Sequence, residues 1–173
     1  MPSQAVIDLS HYMKEHHLTI SFAESATTGR FIDEFTSVPK CGDAVQGSIV
    51  CYNENVKKNL LQVPQELIDQ YTAESAEVTQ CLADRLKRLI PAHIVVAATG
   101  LAAPGGSETP EKPVGTMFVH GYIDQEAFRK RFQFEGEPDE IITQTIDETA
   151  KFLLEKLKSQ GSEAKKSPAL SPG

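Results

Sequence analysis

The stretch IVVAA at residues 94–98 is apolar at every position and is followed directly by Thr99. A short uninterrupted apolar run indicates a β-strand that is covered on both faces, as at the centre of a sheet between helices. The residues after it, 99–113, carry too many glycines and prolines for a helix or strand, which predicts a long loop. Ordered loops of this length are often functional.

The segments on either side of this strand alternate between strand and helix patterns. Strands are predicted at residues 18–23, 47–52, 115–123 and 129–134, the last two forming a hairpin around Asp124. Helices are predicted at 3–16, after the turn at 24–29, from 53, at 74–89 and at 139–157, with Pro64 acting as a breaker. This order predicts an α/β fold, a single-domain three-layer α/β/α sandwich with a mixed β-sheet, over residues 1–160. Residues 161–173 lose periodicity and are predicted to be a disordered tail.

The composition fits one ordinary globular domain, because 173 residues bury one good core and leave no room for a second domain. A net charge of -7 argues against nucleic acid or an anionic membrane as partner. The three cysteines, Cys41, Cys51 and Cys81, form no CxxC pair, so neither a disulfide framework nor a zinc site is expected. No ligand cluster suggests a metal or cofactor, and no signal peptide or membrane span is expected, so we expect a cytoplasmic protein.

Three segments at predicted strand ends could carry chemistry: residues 23–29, 52–57 and 99–106. Ser25, at a strand-to-helix turn, is either a helix N-cap or a nucleophile. Lys57 is either a solvated helix charge or, if desolvated and neutral, a base for that serine. No GxSxG elbow, GxGxxG motif or histidine triad is present.

Two strings carry a resemblance to a known family. The string AESATTG at residues 23–29 resembles the AESCTGG motif of the CinA C-terminal family, and TGLAAPGGSETPEKPVGT at 99–116 resembles its TGIAGPGGGTPEKPVGT. The likeness continues through residues 36–39, Tyr52 and Lys57 and covers about residues 5–157. The resemblance implies a nicotinamide-nucleotide amidase, a metal-free serine amidohydrolase that converts nicotinamide mononucleotide to nicotinate mononucleotide and ammonia.

By this resemblance, Ser25 is the nucleophile and Tyr52 and Lys57 activate it. Backbone amides near Ala26 and Thr27 would stabilise the oxyanion. The resemblance also implies a pyridine-nucleotide substrate and a homo-oligomer. The residues it implies for substrate binding are Glu24, Thr27, Thr28, Gly29, Thr99, Gly100, Pro104, Gly105 and Gly106.

The chain departs from the family pattern at three places. Ala26 stands for a cysteine, Thr28 stands for a glycine, and Gly136-Glu137-Pro138 stands where family members commonly carry GDR. If the missing arginine holds the substrate phosphate, a charge-assisted contact has been lost and mononucleotide turnover should be weak. The alternative function is therefore a catalytically weak or silent paralogue that binds a nucleotide or a protein.

Overall fold

A computed structural model describes residues 1–164 and contains, over that range, six α-helices and five β-strands. In chain order they are α1 (Gln4–Glu15), β1 (Ile20–Glu24), α2 (Arg30–Thr36), β2 (Val45–Val50), α3 (Glu54–Leu61), α4 (Gln65–Tyr71), α5 (Ala76–Leu89), β3 (Ile94–Gly100), β4 (Thr116–Ile123), β5 (Glu126–Gln133) and α6 (Pro138–Ala164). The strands form one sheet in the order β2-β1-β3-β4-β5. The first three are parallel, and β4 and β5 are antiparallel additions, so the predicted mixed sheet is confirmed.

Helices cover both faces of the sheet, as the apolar run at 94–98 predicts. Ile94, Val96 and Ala98 belong to the core shared with α1, α2 and α6. Val95 and Ala97 belong to the opposite core, shared with α3, α4 and α5. Because neighbouring residues of a strand point to opposite faces, a buried central strand must be apolar at every position. The three-layer α/β/α sandwich is therefore confirmed.

The structure corrects several predicted boundaries. Strand β2 begins at Val45, two residues before the predicted start, and β5 begins at Glu126 after a two-residue turn. Helix α4 was not predicted; Pro64 lies just before its first residue, where the missing N–H of proline costs nothing, so it starts this helix and does not only break the chain.

Helix α6 continues past the predicted end at residue 157, as far as Ala164. The prediction of disorder is therefore wrong for residues 161–164, because a helix once formed gains a backbone hydrogen bond with each added residue. The rest of the predicted tail, 165–173, lies outside the described residues.

The parallel strands bring three chain segments to one edge of the sheet. In the register, Glu24 at the end of β1 pairs with Val50 on one side and Ala98 on the other. Hydrogen bonds continue this pairing, since the N–H of Ser25 donates to the Ala98 carbonyl at 3.0 Å and the N–H of Cys51 donates to the Glu24 carbonyl at 2.7 Å. The carboxyl ends of parallel strands are where α/β sheets usually bind ligands.

Candidate active site

Ser25 lies in the turn between β1 and α2 and does not cap the helix. Helix α2 begins at Arg30, its N-cap residue is Gly29, and the turn needs left-handed backbone at Thr28 (φ +50°) and Gly29 (φ +94°). The Ser25 side chain is buried, and its hydroxyl faces Lys57. Of the two interpretations of this serine, the structure excludes the N-cap.

The N-terminus of α2 is instead held by the carboxylate of Glu24. This side chain is fully buried and accepts hydrogen bonds from the N–H groups of Gly29, Phe31 and Ile32 at 3.0–3.1 Å. It also accepts from the hydroxyls of Thr27 at 2.9 Å and Ser48 at 2.8 Å. A carboxylate at a helix N-terminus is favoured by the unpaired N–H groups and the helix dipole. Glu24 therefore fixes the turn that carries Ser25.

Lys57 projects from α3 into the protein and reaches the serine. Its side chain is 1% exposed, and its Nζ lies 2.8 Å from Ser25 Oγ, 2.8 Å from the Cys51 carbonyl oxygen and 3.1 Å from the Tyr52 carbonyl oxygen. Burial lowers the pKa of Lys57, and the nearby Cys51, Glu74 and Glu54 only partly oppose that shift. Lys57 is therefore not a solvated helix charge, and the predicted convergence of two residues far apart in sequence is observed.

A cavity of about 660 Å³ opens over Ser25. Its walls come from the β1–α2 turn, the start of α3, the loop after β3 and the start of α6; the lining residues are Ser25, Ala26, Thr28, Tyr52, Asn53, Glu54, Asn55, Glu74, Gly100, Leu101, Ala102, Ala103, Pro104, Gly105, Gly106, Pro138 and Ile142. This volume lies in the range of small-molecule sites. The buried hydroxyl thus meets a space where a small substrate fits.

The cavity separates the predicted substrate-binding residues into two groups. Thr28, Gly100, Pro104, Gly105 and Gly106 line it.

Glu24, Thr27, Gly29 and Thr99 do not line this cavity. The side chains of Glu24, Thr27 and Thr99 are fully buried and already hydrogen-bonded within the protein, Thr99 to the Thr79 hydroxyl at 2.8 Å. The N–H of Gly29 is bonded to Glu24. The expected role of these four residues is therefore corrected from contact to support.

Tyr52 lies at the cavity mouth, but its phenol is not part of the Ser25–Lys57 pair. Its side chain is largely exposed, and within residues 1–164 the phenol makes no hydrogen bond. Its backbone carbonyl is the group that contacts Lys57. In this structure the tyrosine therefore orients the lysine through the main chain.

Sequence reasoning missed two acidic residues of the cavity wall, Glu54 and Glu74. Glu54 follows the N-cap Asn53 at the start of α3, where acidic residues are common for helix stability alone. Glu74 lies before α5 and reaches the site through the loop, since its carboxylate accepts from Ser107 and its carbonyl from Lys112. No local pattern predicts the second of these contacts.

Among residues 1–164, no group of three or more His, Cys, Asp or Glu side chains is arranged to hold a metal ion. Over the same range, no helix combines the length and the apolarity that crossing a bilayer would need.

The fold and the cavity define an α/β sandwich with a buried serine–lysine pair at the carboxyl edge of its sheet. The chain belongs to the CinA C-terminal domain family, whose model matches residues 3–157.

Similar proteins support this membership. A CinA-like protein from Thermotoga neapolitana is 34% identical over 149 residues, which cover 86% of this chain and 36% of that protein. One from Synechococcus is 42% identical over 101 residues, covering 58% of this chain and 24% of that protein. The chain thus spans about a third of the length of the curated relatives it matches.

Solved structures show the same fold. A competence-damaged protein (CinA) superfamily protein from Klebsiella pneumoniae gives a TM-score of 0.83 at 23% identity and covers 90% of this chain and 97% of its own. The competence/damage inducible protein CihA from Agrobacterium tumefaciens gives 0.81 at 23% identity, with coverage of 89% and 96%.

Proposed function

We propose that this chain is a serine amidohydrolase in which Ser25 is the nucleophile and Lys57 is its general base. The observation that carries the proposal is the 2.8 Å contact between a buried lysine amine and a buried serine hydroxyl beneath a cavity. Serine–lysine pairs activate the hydroxyl only when the amine is neutral, and burial lowers the pKa of Lys57 in that direction.

The three contacts of Lys57 match the needs of a neutral amine. A neutral amine has two N–H donors and one lone pair, and the carbonyls of Cys51 and Tyr52 take the two donors. In the structure Lys57 Nζ also donates to Ser25 Oγ; in the neutral amine proposed here, a lone pair takes that third position and accepts the serine proton. Burial also raises the pKa of the Cys51 thiol to about 11, and the nearby Lys57 only partly opposes that shift.

The first half of the proposed reaction releases ammonia from the carboxamide. Ser25 Oγ attacks the carboxamide carbon while its proton passes to Lys57, and the carbonyl oxygen becomes an oxyanion. The oxyanion collapses, the C–N bond breaks, and Lys57 returns the proton to the leaving nitrogen, which departs as ammonia. Lys57 then takes a proton from a water molecule that attacks the serine ester, the C–Oγ bond breaks as Lys57 returns that proton to Ser25 Oγ, and the acid formed loses its proton to solvent and leaves as the carboxylate.

Backbone amides of the turn are suited to stabilise the oxyanion. Within the described residues, the N–H groups of Ala26 and Thr27 donate no hydrogen bond to the protein, whereas the N–H of Thr28 is used by the Ser25 carbonyl. Paired N–H donors next to the nucleophile are the usual means of stabilising a tetrahedral intermediate. We assign that role to Ala26 and Thr27.

The substrate expected from the family resemblance is nicotinamide mononucleotide, hydrolysed to nicotinate mononucleotide. The test is ammonia release by the purified chain, with Ser25→Ala as the matched variant. We expect release that is lost in the variant and that rises with pH up to the lowered pKa of Lys57, since only the neutral amine accepts the serine proton. Activity that survives Ser25→Ala, or that disappears on chelation and returns with a divalent metal, would contradict the mechanism.

A second candidate function is ligand binding without hydrolysis. The exposed phenol of Tyr52, away from the serine–lysine pair, is the observation that favours it. In that case calorimetry would detect binding of the mononucleotide while no ammonia forms with either the parent chain or Ser25→Ala.

A further inference from the structure

The cavity wall carries negative charge and no side-chain cation. Among its lining residues the ionisable ones are Glu54, Glu74 and Tyr52, and none is a lysine or an arginine. A phosphate group in this cavity would approach two carboxylates without a charged partner of opposite sign. A cationic ligand would be attracted by both.

The cations nearest the wall are already engaged elsewhere. Lys57 lies beneath Ser25 and contacts two carbonyls, and Lys112 is bonded to the Thr72 hydroxyl, the Glu74 carbonyl and the Ser107 hydroxyl at 2.7–2.8 Å. Arg30 forms an ion pair with Asp139 at 2.5 Å. None of these three side chains lines the cavity.

Several backbone N–H groups near the cavity are also bonded to the protein's own acceptors. These acceptors are Glu24 at the start of α2, the Asn53 side chain at the start of α3 and Glu140 at the start of α6. The N–H groups of Ala26 and Thr27, which are free within the described residues, are the ones assigned to the oxyanion. Pro138, the first residue of α6, has no N–H to offer.

The glycine-rich loop is occupied in the same way. The N–H of Gly105 donates to the Glu108 carboxylate at 2.7 Å, and hydrogen bonds from the backbone of Gly105, Glu108 and Gly106 lower the pKa of that acid. A carboxylate of the chain itself therefore takes the Gly105 amide, one of those with which such a loop would hold a phosphate.

From these contacts we propose that the cavity selects an unphosphorylated pyridinium carboxamide, the nicotinamide riboside, over the mononucleotide. The riboside carries the positive ring without the phosphate, so its charge matches Glu54 and Glu74. The proposal rests on the proposed amidase function and deepens it by naming the charge class of the substrate. Glu54 and Glu74 are then specificity-determining residues, and Ser25 and Lys57 act on the same ring amide in either ligand.

The test compares ammonia release from the riboside and from the mononucleotide by the full chain at low ionic strength. We expect kcat/KM to be about tenfold or more higher for the riboside, because Glu54 and Glu74 repel the phosphate of the mononucleotide and no lining cation offsets that repulsion. Added salt should reduce the ratio, since it screens partly exposed charges.

Two variants of one residue sharpen the test. Glu54→Gln should reduce the ratio by severalfold, and Glu54→Lys should lower kcat/KM for the riboside while raising it for the mononucleotide. The matched control is Glu66→Gln, which removes a carboxylate from the exposed side of α4, outside the cavity lining, and should leave the ratio unchanged.

The outcomes separate this proposal from the amidase proposal. If Ser25-dependent activity favours the mononucleotide and Glu54→Lys does not improve it, charge selection is wrong and the amidase stands. If neither compound is hydrolysed, calorimetry with Ser25→Ala decides: tighter binding of the riboside supports charge selection and refutes the amidase. Equal binding, tighter binding of the mononucleotide, or no binding of either refutes charge selection.

Discussion

Two buried bases on the same side of the sheet have opposite surroundings. Lys57 at the carboxyl edge and His120 in the middle of β4 are both almost fully buried, and burial lowers the pKa of each, that of His120 to about 4 with a further contribution from Arg129. Lys57 has three hydrogen-bond partners and a serine next to a cavity. The Nδ1 of His120 is buried and has no hydrogen-bond partner among residues 1–164, and His120 does not line that cavity.

The difference shows that a lowered pKa does not by itself mark a catalytic group. Desolvation acts on any ionisable side chain that the fold encloses, whether it is used or not. What distinguishes Lys57 is geometry: a proton donor at hydrogen-bond distance and space for a substrate beyond it. The comparison can be tested by substituting Lys57, His120 and the residues that hold the site in place.

The largest expected effect is on Lys57. Lys57→Met keeps the length of the side chain and removes the base, so kcat should fall about 10³-fold, within the usual range for loss of a general base. Ammonia release under saturating substrate measures it. Lys58→Met, one residue along on α3 and half-buried, changes a lysine whose amine contacts Gln65 and not Ser25, so this variant should keep full activity. Equal losses in the two variants would show that the helix, and not the amine, matters.

The next effect concerns Glu24, which holds the turn beside the lysine. Glu24→Gln should lower the free energy of unfolding by about 3 kcal/mol, because an amide group would face N–H and O–H donors that now share a carboxylate. Denaturant unfolding measures it.

Glu34→Gln is the matched control for Glu24→Gln. Glu34 is another buried carboxylate, but it has a single long ion pair with Arg30 at 3.4 Å, and burial raises its pKa. Glu34→Gln should therefore lower the free energy of unfolding clearly less than Glu24→Gln does. A larger loss at Glu34 would contradict the supporting role given to Glu24.

His120 should affect stability only in acid. The unfolded histidine takes up a proton near its ordinary pKa of about 6.5, whereas the folded one does so only near 4, so acidification between those values favours unfolding. At pH 5 this lowers the free energy of unfolding by about 2 kcal/mol relative to pH 8. His120→Leu should remove this loss without changing kcat, and His11→Leu, on the exposed side of α1, should preserve it. A loss of kcat in His120→Leu would reveal a functional role.

The smallest effect is expected for Lys112, a half-buried amine that ties the loop to residues 72–74. Burial lowers the pKa of Lys112 too, and its amine donates to the Ser107 hydroxyl, but neither residue lines the cavity, so Lys112 tests the same distinction at a third base. Lys112→Met should raise KM severalfold, about 1 kcal/mol, with kcat little changed, because the loop loses its anchors. The control is Lys130→Met. Lys130 lies on β5, where its amine packs over the Phe152 ring, and its replacement should leave KM unchanged. A fall in kcat as large as that of Lys57→Met would contradict this ranking.

The layers of the fold could be predicted from sequence because helix and strand leave different periodicities. The uninterrupted apolar run at 94–98 identified the central strand. The alternation of strand and helix patterns on either side of it predicted the three-layer sandwich. Boundaries were less predictable: α4 follows a proline that also fits a breaker, and the end of α6 has no capping signal that periodicity would detect.

The meeting of Ser25 and Lys57 at the candidate site was predicted, and the residues that support them were not. Ser25 and Lys57 came from a motif resemblance, and only the parallel register of β1, β2 and β3 explains why they meet. The sequence analysis gave Glu24 a role in substrate binding. A motif does not distinguish residues that contact a ligand from residues that hold the ligand-contacting residues in place. Glu74 and Glu108 were missed because their partners depend on the folded path of the loop.

Helix α6 gives the cavity one wall that cannot move alone. Its 27 residues run for about 40 Å, with Pro138 at the cavity and Ile146, Ala150, Leu153 and Leu157 embedded in the core beside α1. Moving the cavity wall at Pro138 would require moving the whole of α6 relative to the core residues that pack against it. Any widening of the cavity would therefore fall to the opposite, loop-built wall, and we expect core substitutions several turns away along α6 to change the position of Pro138 at the cavity.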